Sequence, residues 1–463
     1  MLSHRSSMRK ILPVLICLVM LAAGAALYVQ DADAQAPEAT APATPVAATT
    51  PAPPNIDSGD TAWVLVSTAL VLVMTAPGVA LFYGGMVRSK NTLSTFLQSF
   101  IILCLISIQW VLWGYSLAFG PDVGGIIGSL EWFGLNGVGG EPNADYAPTI
   151  PHQAFMLFQM MFAVITPALI TGAFAERVKF SSFILFTLLW ATFIYDPLAH
   201  WVWGVGGWVR NLGALDFAGG TVVHISSGVA GLVCAIVVKR RLGHGKEQMQ
   251  PHNLPMTLLG ASLLWFGWFG FNAGSALTSG VLAASTFVAT NTATAAAALA
   301  WVVAEWIYRG KPSALGAASG AVAGLVAITP ASGFVGPMSS IWIGIGAGVL
   351  CYTAVMLKPL FGYDDALDAV GVHGVGGTWG ALATGLFASK AVNSAGADGL
   401  FFGNPKQLII QAMAVLVTWV FVFVGTLIVL AVVAAITGLR VNEEEEQSGL
   451  DLSQHDEKAY SQG

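Results

Sequence analysis

Beyond residue 61 the chain alternates between long apolar runs and short polar breaks. The runs fall near 62–86, 94–118, 152–175, 180–203, 218–239, 254–276, 281–307, 313–329, 337–357, 369–388 and 407–437. At ~1.5 Å per residue, a run of about 20 residues crosses the ~30 Å of hydrocarbon in a bilayer. An unpaired backbone amide is too costly to leave in lipid, so each spanning run must close its own hydrogen bonds as a helix. The pattern predicts an all-α integral membrane protein of eleven transmembrane helices, the eleventh long and peripheral.

The polar breaks carry an independent signal, because loops on the cytoplasmic side collect Lys and Arg. Odd-numbered breaks and the tail hold thirteen basic residues: Arg88, Lys90, Arg177, Lys179, Lys239, Arg240, Arg241, Lys246, Arg309, Lys311, Lys358, Arg440 and Lys458. Even-numbered breaks hold three, Arg210, Lys390 and Lys406. An odd helix count with the N terminus outside and the C terminus inside accounts for this alternation. The division that follows is a transmembrane domain over 61–438 and a cytoplasmic tail over 439–463.

Composition agrees with a bilayer setting. The 463 residues are 55% hydrophobic and 10% charged, with a mean hydropathy of +0.71, well outside the range of a soluble domain. Much of the net charge of -6 comes from the acidic run Glu443–Glu446, so no nucleic acid partner is implied. Cys17, Cys104, Cys234 and Cys351 stand in apolar runs without metal-ligand or disulfide spacing and read as packing residues. Residues 1–34 read as a signal peptide: Arg5, Arg9 and Lys10 precede an apolar stretch and the small-residue pattern Ala32-Asp33-Ala34. An uncleaved anchor fits the same stretch. Residues 35–60, rich in Pro, Ala and Thr, read as a disordered exported linker.

Two segments repeat one another. LDFAGGTVVHISSGVAG places Asp216 eight residues before His224, with Gly228 and Gly231 four and seven after it. DALDAVGVHGVGGTWG places Asp365, His373, Gly377 and Gly380 at the same offsets. Read as a true repeat, helices 1–5 and 6–10 form two halves of five. An odd number per half inverts one half against the other, an architecture whose substrate site lies near the midplane between the halves. His224 and His373 stand in otherwise uncharged spans, and an ionisable residue there marks a route for substrate or proton.

Other candidates are individually less specific. Phe158 and Phe162 share a face of the third span, a spacing also common in packing. Trp203, at the outer end of the fourth span, also fits an interfacial belt, and Ser275 fits a small residue at a helix contact. Together they could hold a small cation by cation–π attraction and hydrogen bonding. Asp216 is placed to cap the fifth span, while Asp365 and Asp368 precede the tenth as helix-start residues. Asp196, His200 and Glu305 read as structural partners of loop amides or basic residues. Metal clusters, nucleophile motifs and cofactor fingerprints are not evident in the sequence, so it reads as a non-enzyme without a cofactor.

The ordered segments APGVALFYGG (76–85), GAFAERVKF (172–180), LDFAGGTVVHISSGVAG (215–231), PHNLPM (251–256), GWFGFNAGSA (267–276), VAITPASG (326–333), GVHGVGG (371–377) and GLDLSQHDEKAY (449–460) resemble the ammonium transporter / methylammonium permease / Rhesus family. The resemblance is specifically to its bacterial ammonium transporters, from about residue 60 to the C terminus. It implies that His224 and His373 are twin pore histidines and that Phe158, Phe162 and Phe271 form a gate. It likewise makes Phe162, Trp203 and Ser275 an outer ammonium site, with Asp216, Trp268 and Thr329 in support. A homotrimer in the bacterial inner membrane, in contact with membrane lipid, is implied as well. So is a P-II-type nitrogen regulatory protein docking on the tail. The function this resemblance implies is recruitment and deprotonation of ammonium, with ammonia conducted past the histidines and a proton relayed separately. An ammonium sensor acting through the tail and a neutral-gas channel are the rival readings.

Overall fold

The computed structural model describes residues 56–460, so the expected signal peptide and nearly all of the expected linker lie outside the described residues. Nine of the described helices are long and apolar enough to cross a membrane: α1 (Ser58–Met86), α2 (Ser89–Phe119), α3 (His152–Phe174), α4 (Phe180–Asn211), α5 (Gly220–Val238), α6 (Leu254–Gly274), α7 (Val281–Arg309), α9 (Pro337–Phe361) and α11 (Pro405–Thr437). Two further apolar helices coincide with the remaining expected runs: α8 (Ala314–Ile328) and α10, which covers 370–387. At ~1.5 Å per residue, the 15 residues of α8 reach only about 22 Å.

Local chemistry sets the helix starts. Asp57 accepts the Asp60 amide at 2.8 Å, Asn253 accepts that of Met256 at 3.0 Å and Ser313 accepts that of Gly316 at 2.9 Å, each taking an amide that its helix cannot satisfy. Proline opens α6, α9 and α11, where a missing N–H costs nothing. Gly310 and Gly362 end α7 and α9 at φ 81° and 74°, a backbone region disfavoured for residues with a Cβ.

Helix α3 is central and α11 peripheral. Protein buries 89% of the most apolar window of α3 but only 28% of that of α11, which turns Leu416, Val420, Val424 and Ile428 outward. Helix α6 lies along α1, α7 packs on α8 and α9, and α3 packs on α2 and α5. Five of the described helices contain a π-helical turn, a feature frequent at functional sites, and two of these turns carry His224 and His373.

Two expectations are corrected. Asp196 meets neither a loop amide nor a basic residue: it is buried inside α4 and accepts the Gln109 amide at 2.7 Å. Cys104 does not pack inside but lies exposed on α2.

At one end of the bundle, Glu176 joins Arg88 and Arg241, and Arg241 reaches on to Asp364. Burial works against the Asp364 charge, but hydrogen bonds and the charge of Arg241 hold its carboxyl below the usual range. The tail docks on the same end as two short helices, α12 (Glu443–Ser448) and α13 (Leu450–His455). Lys90 donates to the carbonyls of Glu446 and Gln447 at 2.9 and 2.6 Å. Asn91 accepts the Leu450 amide at 2.8 Å, while Asp451 accepts the amides of Leu93 and Ser94 at 3.0 and 2.8 Å. A residue from the tail thus caps the α-helical part of α2 that begins at Thr92.

Asp451→Ala is expected to weaken tail docking by about 1 kcal/mol, the usual value of a lost cap, giving faster hydrogen exchange over 443–460 with the helical core unchanged. Asp364→Asn is expected to destabilise the protein at pH 7 by about 2 kcal/mol, because it removes the carboxylate charge that Arg241 grips and leaves it Glu176 at 3.4 Å. The folded-state depression of the Asp364 pKa makes its contribution full above the unfolded value of ~3.9. That contribution is lost as pH falls towards the folded value, so the gap in unfolding temperature between variant and wild type should narrow in acid.

Candidate functional site

The two histidine helices begin in the same way. Asp216 Oδ1 accepts the amides of Gly219 and Gly220 at 2.7 and 2.6 Å, and Oδ2 accepts the Thr221 amide at 2.7 Å as well as its hydroxyl. Asp365 Oδ1 accepts the Ala369 amide at 3.1 Å and Oδ2 the Val370 amide at 2.8 Å. Each carboxylate satisfies the open amides of a helix start, and a π-helical turn then delivers a histidine eight residues on.

The glycines after the histidines let the helices cross. A Cβ on Gly228 would strike the backbone of Gly374, while one on Gly377 would lie 2.9 Å from His224 Cβ and 3.0 Å from the Ile225 nitrogen. Each repeat thus brings its glycine against the histidine turn of the other. The rings of His224 and His373 stack with centroids 5.4 Å apart and planes inclined by 17°. Both residues are buried, and neither His224 nitrogen nor His373 Nδ1 has a hydrogen-bond partner among the described residues.

A run of aromatic rings connects the pair to the end of the bundle opposite the tail. Trp268 and Phe271 lie 5.4 and 6.1 Å from the His224 ring, and Phe271 lies 4.3 Å from Phe162. Phe162 meets Trp203 at 5.8 Å and Phe158 at 5.0 Å, both edge to face. Trp268 Nε1 donates to Thr329 Oγ1 at 2.9 Å, fixing the indole beside the histidine. Trp203 Nε1 donates to the Asp216 carbonyl at 2.9 Å, tying the outermost ring to the cap of α5.

Beyond Phe162 a cavity of about 160 Å³ is lined by Phe162, Trp203 and Ser275. Ser275 donates its hydroxyl proton to the Phe271 carbonyl at 2.8 Å, leaving oxygen lone pairs available. The ten residues singled out from sequence therefore gather along one line, with Phe158 behind Phe162 and outside the cavity lining. Sequence reasoning missed Gln159, Tyr146, Phe217, Asp145 and Arg210, which complete the lining with Phe119, Phe155 and Leu277. The one available signal was position: Gln159 is a polar residue between two aromatics of a central apolar helix.

Chemically, two aromatic faces and a hydroxyl oxygen suit a small cation, the close Phe162–Phe271 pair forms a barrier, and two stacked imidazoles beyond it can exchange a proton. Among the described residues no group of three or more His, Cys, Asp or Glu is placed to hold a metal ion. A larger recess of about 890 Å³ opens between α5, α9 and the tail and is lined by none of these residues.

The sequence profile of the Ammonium Transporter Family matches residues 62–460. An ammonium transporter of Bacillus subtilis is 59% identical over 404 residues, covering 87% of this chain and 98% of that protein. Ammonium transporter Amt1 of Archaeoglobus fulgidus is 50% identical, covering 88% of this chain and 100% of its own length. The crystal structure of Saccharomyces cerevisiae Mep2 superposes with a TM-score of 0.79 at 37% identity, over 84% of this chain and 89% of that one. A sensor Amt protein superposes with a TM-score of 0.78 at 33% identity, over 86% and 98% of the two chains.

Gly377→Ala is expected to cost about 1–3 kcal/mol by forcing α5 and α10 apart, seen as a lower unfolding temperature of the purified protein. Gly139→Ala, where an added Cβ meets nothing within 4 Å, serves as the control and should stay within about 0.5 kcal/mol of wild type.

Proposed function

The chain belongs to the Ammonium Transporter Family, and on that premise we propose that it recruits the ammonium ion, removes its proton and conducts ammonia past the paired histidines. The observation that carries this reading is the stacking of two buried imidazoles, with His224 unpartnered at both nitrogens, behind an aromatic barrier. A histidine kept only for structure would use its nitrogens in hydrogen bonds.

The proposed sequence starts at the cavity beyond Phe162. Trp203 and Phe162 hold the ammonium ion by their ring faces, and the Ser275 oxygen accepts one of its N–H groups. Passage between Phe162 and Phe271 strips the remaining water. Desolvation disfavours the charged form of an amine, so the ion gives up a proton. Ammonia then crosses the apolar pore, and the proton passes separately over His224 and His373. Asp216, Trp268 and Thr329 keep the rings in position.

This order of events explains selectivity. Ammonium and potassium carry the same charge and have similar size, so a plain cation pore would pass both. Potassium has no proton to release and stops where ammonium divides.

The same reading takes all eleven apolar helices as spans, with the Trp203 end outside and the tail in the cytoplasm of a bacterium, and three chains forming a homotrimer in the inner membrane. The alternation of basic residues supports that orientation. The docked tail suits a regulatory contact with a P-II-type protein. A second reading, an ammonium sensor, is favoured by the likeness to a sensor Amt protein and by the tail gripping the bundle.

The deciding measurement is current from proteoliposomes given equal pulses of ammonium and potassium. The wild type is expected to respond to ammonium alone. The His224→Ala/His373→Ala variant should lose roughly tenfold or more of that current, or admit potassium. Unchanged flux and selectivity in the double variant would sink the relay, while silence of the wild type with ammonium still bound would favour the sensor.

A further inference from the structure

Most of α11 is turned outward, yet it carries two buried glutamines near its start, Gln407 and Gln411, one turn apart on the same face. Burying a primary amide is unfavourable unless its donors and its acceptor are used. At Gln411 all of them are. Its Oε1 accepts the Leu215 amide at 2.7 Å and Gln407 Nε2 at 3.2 Å, and its Nε2 donates to the carbonyls of Leu215 at 2.8 Å and Ala381 at 3.1 Å. Gln407 Nε2 also donates to the Gly213 carbonyl at 3.0 Å. One side chain thus brackets both polar groups of Leu215, as a neighbouring strand would, and ties them to α10. Helix α10 leaves room for it: a Cβ on Gly385 would lie 2.7 Å from Leu408 Cα and 3.0 Å from Gln411 Cγ.

Leu215 lies in the irregular segment between α4 and α5, and among the described residues its amide and carbonyl have no hydrogen-bond partner except Gln411. The next residue is Asp216, whose carbonyl accepts Trp203 Nε1 at 2.9 Å and whose carboxylate closes the start of α5. An indole has a single donor, so this bond decides how the Trp203 ring is turned. Neither Gln407 nor Gln411 lines the cavity that Trp203 faces. Any influence of α11 on that cavity therefore passes through the backbone of Leu215 and Asp216.

We propose that Gln411 is a positioning residue for ammonium recruitment: by fixing the backbone of Leu215 it sets where the Asp216 carbonyl holds the Trp203 indole. The assignment rests on the reading of the cavity beside Trp203 as the ammonium entry site.

The test is the KM for ammonium, from steady-state current in proteoliposomes, around a double-mutant cycle of Gln411→Leu and Trp203→Phe. Leucine fills similar space without hydrogen bonds, while phenylalanine keeps a ring and removes the N–H that Asp216 holds. Gln411→Leu alone should raise KM about fivefold, the size expected for a misplaced hydrogen bond. In the Trp203→Phe background, where no indole bond remains to misplace, the same change should alter KM by less than about twofold. KM does not depend on how much protein folds, so a residue that only stabilises α11 would lower the total current and leave KM within about twofold of wild type. That result overturns the proposal, and so does an equal rise of KM in both backgrounds. If Gln411→Leu does not fold, Gln411→Asn, which draws the amide back from Leu215 by about 1.5 Å, takes its place under the same two criteria. If the wild type itself carries no current, the transport reading fails separately. The cycle is then read from the ammonium-dependent rise in unfolding temperature, which requires binding but no flux. That rise should shrink in Gln411→Leu and be the same in Trp203→Phe with and without Gln411→Leu; an undiminished rise in Gln411→Leu, or an equal further loss in the double variant, overturns the proposal.

Discussion

The crossing of α5 and α10 is the contact on which the rest of the site depends. Two helices can approach closely only where side chains are absent, and here Gly228 and Gly377 lie against the opposing histidine turns. Close approach in turn stacks His224 on His373, and both His224 nitrogens and His373 Nδ1 are left without hydrogen-bond partners among the described residues. In lipid no water can repair an open amide, so the start of each helix must be closed internally, and Asp216 and Asp365 do this from within the chain. A carboxylate, a π-helical turn and a glycine act together: the first fixes where the helix begins, the second where the histidine points, and the third how near its partner stands.

Much of this was legible in the sequence because a bilayer imposes coarse rules. Every expected apolar run coincides with a helix, and most ends agree within a few residues, since hydrophobic thickness and caps define them. The equal offsets from Asp216 to His224 and from Asp365 to His373 announced a shared local geometry, and both carboxylates do cap their helices. The resemblance supplied Phe271, Trp268 and Thr329, which spacing alone would not have separated from packing residues.

What escaped the sequence depended on partners far along the chain. Asp196 resembled a loop-facing acid, yet its partner is Gln109 on another helix, 87 residues away. Gln159 resembled a polar residue tolerated in an apolar span, and only the folded cavity reveals that its oxygen has no mate. Phe158 stands second in line behind Phe162, a difference of one helical turn that periodicity cannot rank. The embrace of the tail was likewise hidden, because hydrogen bonds spanning 357 and 358 residues leave no local trace.

That embrace has a consequence for how the molecule is made. The α-helical part of α2 starts at Thr92, among the early residues to enter the bilayer, but the carboxylate that closes its first turn belongs to Asp451. A ribosome releases that residue 357 residues after Ser94. Until then the first turn of α2 lacks this cap, and Lys90 has no tail carbonyls to hold. A chain cut before Asp451 keeps that turn open, so the tail contacts tie the order of the α2 head to synthesis of the tail.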